Sequence, residues 1–163
     1  MQREKIVSTR IEIASAQGLE QIELVRQLFC EYVDAIGVDL EYQGFSAELA
    51  ALPSPYDSPG GALLIGRAGT EVAGCVALRR LDDRTGEMKR LYVRAGFRGL
   101  GIAEQLIAGV IAAARSAGYG QLRLDTLPSM AAAQALYRKL GFIDIPAYGH
   151  KHLPGTRFFG LAL

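Results

Sequence analysis

The segment Arg98-Gly99-Leu100-Gly101-Ile102-Ala103 lies between a strand-like run, Glu87 to Val93, and a long helix-like one. Glycines at such a junction let several backbone N–H groups point at one spot, and the first turn of the helix adds partial positive charge there. The chemistry this predicts is phosphate binding by the main chain of Arg98, Gly99, Leu100, Gly101, Ile102 and Ala103. Downstream, Ala103, Leu106, Ile107, Val110, Ile111 and Ala114 keep the spacing of one buried helix face, and Gly118 fits the position just past its end.

Other glycine motifs compete for this segment. Gly96 and Gly101 have P-loop spacing, but Ile102 and Ala103 stand where that motif needs Lys and Ser or Thr for the phosphates and magnesium. Gly99-Leu100-Gly101 could open a dinucleotide fingerprint, with Asp125 at about the distance of the ribose-binding acid. Against it, the third glycine position is Glu104, which would set a carboxylate near the pyrophosphate. A turn serving helix packing alone is the remaining reading.

The elements that must position this turn follow from periodicity. Thr9 to Ala14 reads as a first strand, and Ile22, Val25, Phe29, Tyr32, Val33 and Ile36 keep helical spacing up to Gly37. A short helix from Ser46 to Leu52 is stopped by Pro53-Ser54-Pro55. Ala62–Arg67, Glu71–Leu81 and Thr85–Arg94 are joined by short polar connections that suit an antiparallel meander. Gln121–Leu127 is a strand, and Ser129 is placed to cap a helix whose Ala133, Leu136, Tyr137 and Leu140 form a stripe ending at Gly141. Arg157–Leu163 closes the chain as a strand, and no repeat or linker divides residues 1–163, which read as one domain.

Composition narrows the function classes. Half of the 163 residues are apolar, and the formal net charge is +1, so nothing pulls the chain toward nucleic acid or acidic lipid. Arg79-Arg80 with Lys89-Arg90 form a small basic cluster that either assists an anionic ligand or lies on a solvated strand face. Cys30 and Cys75 both fall in apolar-periodic segments and read as packed thiols of a reducing cytoplasm. No apolar run approaches the roughly 20 residues of a membrane span, and Met1 to Lys5 has no signal-peptide core behind it. His150 and His152 are the only histidines, too few with these cysteines to suggest a metal site.

Arg98, Gly101 and Ala103 resemble the acyl-CoA motif of the GNAT family, the Gcn5-related N-acetyltransferases, Arg/Gln-x-x-Gly-x-Gly/Ala. Ala133, Leu136-Tyr137 and Leu140-Gly141-Phe142 are similar to the family's Ala-x-x-Leu-Tyr-x-x-x-Gly-Phe segment, and the element order matches over nearly the whole chain. The resemblance implies an α/β GNAT fold, a mixed central sheet flanked by helices, with acetyl-CoA as cosubstrate and no metal. One position departs: family members often place Asn seven residues before the tyrosine, and here it is Met130, with Ser129 beside it.

What the resemblance implies for residues is specific. The main chain of Leu91 and Val93 would pair with the pantetheine arm as an added strand, and an amide near Leu91 or Tyr92 would face the oxyanion, a donor worth roughly 3 kcal/mol. Tyr137 would protonate the departing thiolate; as a phenol of reference pKa about 10 it stays protonated at neutral pH. Its spacing alone equally suits a core tyrosine. Glu87 resembles the glutamate that accepts the amine proton, and period two sets it four residues before Leu91 on one strand face. The same residue also reads as an ion-pair partner of Lys89 or a nearby arginine, with Asp125 as the alternative base.

Tyr32, Asp39, Glu41 and Tyr42, and Tyr148, His150 and His152, are available to wall an acceptor site. The expected function is N-acetylation of a primary amine, on a small molecule or peptide, by direct attack, since no Cys lies near the motif. A noncatalytic CoA-binding or regulatory module of the same fold and a small dinucleotide-binding protein are the alternatives. No nucleic-acid or membrane partner is expected, and a homodimer is compatible with the sequence.

Overall fold

The expected meander forms the middle of one mixed sheet. The structure, a computed structural model, describes residues 9–163; the polar start Met1 to Lys5 lies outside the described residues. Strands β1 (Ile11–Ser15), β2 (Ala62–Ala68), β3 (Glu71–Asp82), β4 (Thr85–Val93), β5 (Gln121–Thr126), β6 (Ile143–Asp144) and β7 (Arg157–Ala162) lie in the order β1-β2-β3-β4-β5-β7-β6. All neighbours are antiparallel except β4 and β5, which α3 (Ile102–Ser116) connects as a parallel crossover. Helices α1 (Gly18–Ile36) and α2 (Phe45–Ala51) cover one face of the sheet, while α3 and α4 (Ala131–Lys139) cover the other. This is the α/β arrangement of a mixed sheet between helices that the resemblance implied.

Two apolar clusters hold the layers. Val25, Leu28 and Phe29 of α1 pack on Leu63, Ile65, Cys75 and Ala77, and Leu106, Ile107 and Val110 of α3 pack on Leu64, Val76, Leu78 and Leu122. Alternation along β2 and β3 supplies both layers from the same strands, as period two requires. Gly37 ends α1 in the left-handed conformation, its N–H donating to the Val33 carbonyl. At the end of α4 the Phe142 N–H donates to the Tyr137 carbonyl and Gly141 takes a φ of +96°, a Schellman closure.

Four expectations change. Met130, not Ser129, occupies the N-cap of α4, and no side chain caps that end. Cys30 is exposed on α1 while Cys75 is buried, because Cys30 falls beside the apolar stripe of that helix. The short strand β6 was not anticipated; two residues carry too little periodicity to read.

The remaining change concerns β4. Cys75 faces Tyr92 and Ala77 faces Lys89, so Val76 alone opposes both Arg90 and Leu91: a β-bulge, with Arg90 at a φ of +60°. The extra residue reverses the alternation. Met88, Leu91 and Val93 pack toward α3, whereas Tyr92 packs toward α1 and Arg90 reaches α2. Glu87 and Leu91 therefore face opposite sides of the sheet, and the same-face argument from spacing fails at the bulge.

Gly74 lies opposite the end of the bulge, where a Cβ would sit 2.2 Å from the Tyr92 carbonyl oxygen. Gly74→Ala is expected to destabilise the fold by about 1–3 kcal/mol, the usual range for overpacking. Urea denaturation should show the midpoint falling without a change in slope, and an unchanged midpoint would mean that β3 and β4 separate there at little cost.

Candidate functional site

β4 and β5 pair only across Thr85–Glu87 and Gln121–Arg123. Beyond Glu87 the strands part, and the β5-facing edge of β4 from Met88 to Val93 is left without a strand partner. The gap passes through the sheet, joining three spaces in line. A groove lies on the α3 and α4 side, a throat sits between the strands, and a cleft opens on the α2 side.

The groove, of about 550 Å³, is lined by Leu91, Tyr92 and Val93 of β4, by Arg98, Gly99 and Gly101 of the turn, and by Ile102 and Ala103 of α3. Eight of the nine residues expected to hold the cofactor thus come together, and Leu100, the ninth, is exposed outside the lining. Gly99 and Gly101 take φ of +80° and +78°, which L side chains rarely adopt, and a Cβ on either would meet no atom within 4 Å. Conformation rather than crowding demands glycine at both. Gly101 is the N-cap of α3 and no side chain caps that end, so its first amides keep their donors for a ligand. Glu104 also lines the groove, its carboxylate paired with Lys139 at 3.0 Å. Asp125 does not line the groove; it borders the throat and the cleft.

The throat, about 60 Å³, is bordered by Met88, Lys89, Leu91, Asp125 and Tyr137. Tyr137 is 5% exposed, its ring packed against Phe142 and Phe159, and its hydroxyl has no hydrogen-bond partner among the described residues. Burial pushes this phenol well above its ordinary pKa, with Tyr32 and Asp125 adding smaller pushes, so it stays protonated. Asp125 pairs with Lys89 at 3.4 Å, and both also border the cleft.

The cleft, about 530 Å³, contains Glu87. Burial leaves its side chain 3% exposed, and both its oxygens are engaged: Arg79 Nε donates to Oε1 at 2.6 Å and the Tyr148 hydroxyl to Oε2 at 2.7 Å. The ion-pair reading of Glu87 is thus realised with Arg79, not Lys89, and it leaves the carboxylate inside the cleft. Desolvation, followed by the charge of Glu87, raises the Tyr148 phenol far above its usual range. Of the expected acceptor walls, Glu41, Tyr42, Tyr148, His150 and His152 line this cleft. Tyr32 lines the groove and throat instead, and Asp39 lines none of the three, its carboxylate accepting from the Glu41 N–H.

Sequence reasoning missed the group that holds the gap open. Arg90 is 5% exposed and gives Nε and one terminal nitrogen to the two Glu48 oxygens, at 3.0 Å each, and the other to Gln43 at 2.9 Å. The Tyr56 hydroxyl donates to Glu48 at 2.6 Å, and Arg90 lies over the Phe45 ring. Lys89-Arg90 was legible only as a basic pair. Of the rest of that cluster, Arg80 pairs with Asp83 at the surface while Arg79 enters the cleft. Cys75 is buried with its thiol donating to the Arg90 carbonyl, burial raises its pKa, and it borders none of the three spaces.

A model of the acetyltransferase (GNAT) family matches residues 29–142. An uncharacterized N-acetyltransferase of Schizosaccharomyces pombe is 32% identical over 158 residues, spanning 95% of this chain and 96% of that protein. Among solved structures, a GNAT family acetyltransferase of Staphylococcus aureus superposes with a TM-score of 0.77 at 22% identity, covering 94% of this chain and 99% of that one. A GNAT family acetyltransferase of Elizabethkingia anophelis, solved with acetyl-CoA bound, gives a TM-score of 0.65 at 21% identity, covering 96% and 99%.

Because a side chain at position 101 would project into open space, charge and conformation can be separated there. Asn and Asp both tolerate the left-handed region, but only Asp adds an anion beside the amides. Gly101→Asp is expected to weaken acetyl-CoA binding about 5- to 30-fold more than Gly101→Asn, since one such charge effect is worth roughly 1–2 kcal/mol. Equal affinities by titration calorimetry in two folded variants would take the diphosphate away from this turn.

Proposed function

Since the chain belongs to the acetyltransferase (GNAT) family, we propose that it transfers an acetyl group from acetyl-CoA to a primary amine by direct attack, as a single-domain enzyme of the cytoplasm. The observation that carries this reading is the continuous opening between β4 and β5, with the anion-binding turn at one end, Tyr137 at its middle and buried carboxylates at the other.

In this reading the CoA diphosphate sits on the amides of Arg98 to Ala103, and the pantetheine arm runs along the unpaired edge of β4 at Leu91 and Val93. The thioester reaches the throat, and the amine enters from the cleft. An amine of lysine-like pKa about 10.4 must lose a proton before it attacks. Glu87 accepts that proton, either directly or through Tyr148, whose hydroxyl already donates to it. The nitrogen lone pair then forms the C–N bond, and the oxyanion is met by an amide of Leu91 or Tyr92. As the C–S bond breaks, Tyr137 gives its proton to the thiolate, and the surplus proton on the former amine nitrogen leaves to solvent through the cleft, so that the products are the amide and the CoA thiol. Asp125 is the second reading for the base, because it alone of the two carboxylates borders both throat and cleft.

Thiol release from acetyl-CoA with a panel of amines tests transfer itself. Tyr137→Phe should keep the affinity for acetyl-CoA and lower turnover by about 10²-fold, the scale of losing a general acid. Turnover equal to the parent at saturating substrates would return Tyr137 to packing alone.

A base must be deprotonated to work, so turnover rises with pH through its limb and falls as it protonates. Glu87→Gln should lower turnover by about 10²-fold and erase that limb, while Asp125→Asn keeps it. If Asp125→Asn erases the limb and Glu87→Gln only raises the acceptor KM, the roles are exchanged.

A further inference from the structure

We infer that the amine acceptor also carries a carboxylate, the chemistry of an amino acid, and that the terminal nitrogens of Arg79 receive it together with Lys151 of the segment between β6 and β7. The inference rests on the transfer reading above and narrows its acceptor.

The argument is a count of which polar groups in the cleft are already satisfied. Four carboxylates line it. Glu48 uses both oxygens on Arg90 and Tyr56, and Glu87 uses both on Arg79 and Tyr148. Glu41, exposed at the rim, is bound to Ser46 through its N–H and hydroxyl. Both of those bonds fall on Oε1, so Glu41 keeps Oε2 in solvent; among the buried and half-buried carboxylates only Asp125, where the cleft meets the throat, keeps an oxygen without a partner among the described residues, since Lys89 takes Oδ1 alone.

Donors show the opposite balance. Arg90 has spent its Nε and both terminal nitrogens. Arg79 gives only Nε to Glu87; its two terminal nitrogens donate to none of the described residues, and its side chain is 37% exposed in the cleft wall. Lys151 lines the same cleft and pairs with no carboxylate among the described residues. Spare acceptor capacity therefore stands at the throat, where an amine must arrive, and spare cationic donors stand further out. A planar guanidinium edge with two free N–H groups suits a carboxylate. A polyamine would bring its second cation beside Arg79 and Lys151, with only the solvent-exposed Glu41 to meet it, and would leave Arg79 unmatched.

The test is a matched acceptor series on the intact protein: L-amino acids, the corresponding amino-acid amides, and spermidine, followed by release of CoA thiol. At least one amino acid should exceed its own amide about tenfold or more in kcat/KM, the scale of hydrogen bonds to a charged group. Arg79→Gln should bring that ratio close to one; because the ratio compares two substrates on the same variant, any shared effect through Glu87 cancels. Amides equal to acids, or spermidine turned over best, would overturn the inference while leaving transfer intact. Thiol release with no amine, in a protein that binds acetyl-CoA, would overturn transfer and this inference with it.

Discussion

Arg90 holds a left-handed backbone conformation inside a nine-residue strand, and the rest of the site follows from it. Such a conformation costs a non-glycine residue of order 1–3 kcal/mol and persists only where its surroundings impose it. Here the surroundings are three side-chain bonds to Glu48 and Gln43 and the ring of Phe45. Hydrogen bonds to charged groups contribute about 1.5–3 kcal/mol each, enough together to offset the strain. The bulge turns Leu91 and Val93 toward α3, sets Lys89 and Arg90 on the α2 side, and coincides with the stretch where β4 and β5 no longer pair.

Three ion pairs surround that opening: Arg90 with Glu48, Arg79 with Glu87, and Lys89 with Asp125. Each has at least one member largely removed from water, and burying charge costs several kcal/mol per ion before the attraction repays it. Apolar side chains of similar volume would hold the sheet as well or better. What the pairs do instead is keep charge of both signs beside the opening. Arg90 shapes the backbone; the other two pairs face the cleft.

Legibility in the sequence divided along the same line. The turn from Arg98 to Ala103, the face of α3 and the Tyr137 stripe were readable because each rests on local rules: glycine at positive φ, period 3.6, and a Schellman end at Gly141. The groove residues came together as read for that reason. The bulge was not readable, since period two carries no mark of one inserted residue, and the error propagated to the relation between Glu87 and Leu91. Arg79 as partner of Glu87, and Glu48 as partner of Arg90, depend on register and on α2 docking, which no local pattern encodes. Cys30 failed for a smaller reason, because one step around a helix separates an inward position from an outward one.

The two halves of the passage differ in what they ask of evolution. On the groove side, ligand contacts available to the chain are main-chain amides of the turn and the open edge of β4, which survive nearly any change of side chain that keeps the glycines and the bulge. On the cleft side, the charged and phenolic groups of the wall are side chains: Arg79, Glu87, Asp125, Tyr148, Lys151. A solved structure at 22% identity keeps a TM-score of 0.77, so the fold persists while most side chains differ. Nothing in the backbone constrains the balance of spare donors and acceptors in the cleft. If the cleft receives the acceptor as proposed, its choice is written in a few side chains around Glu87 and can change without disturbing the fold.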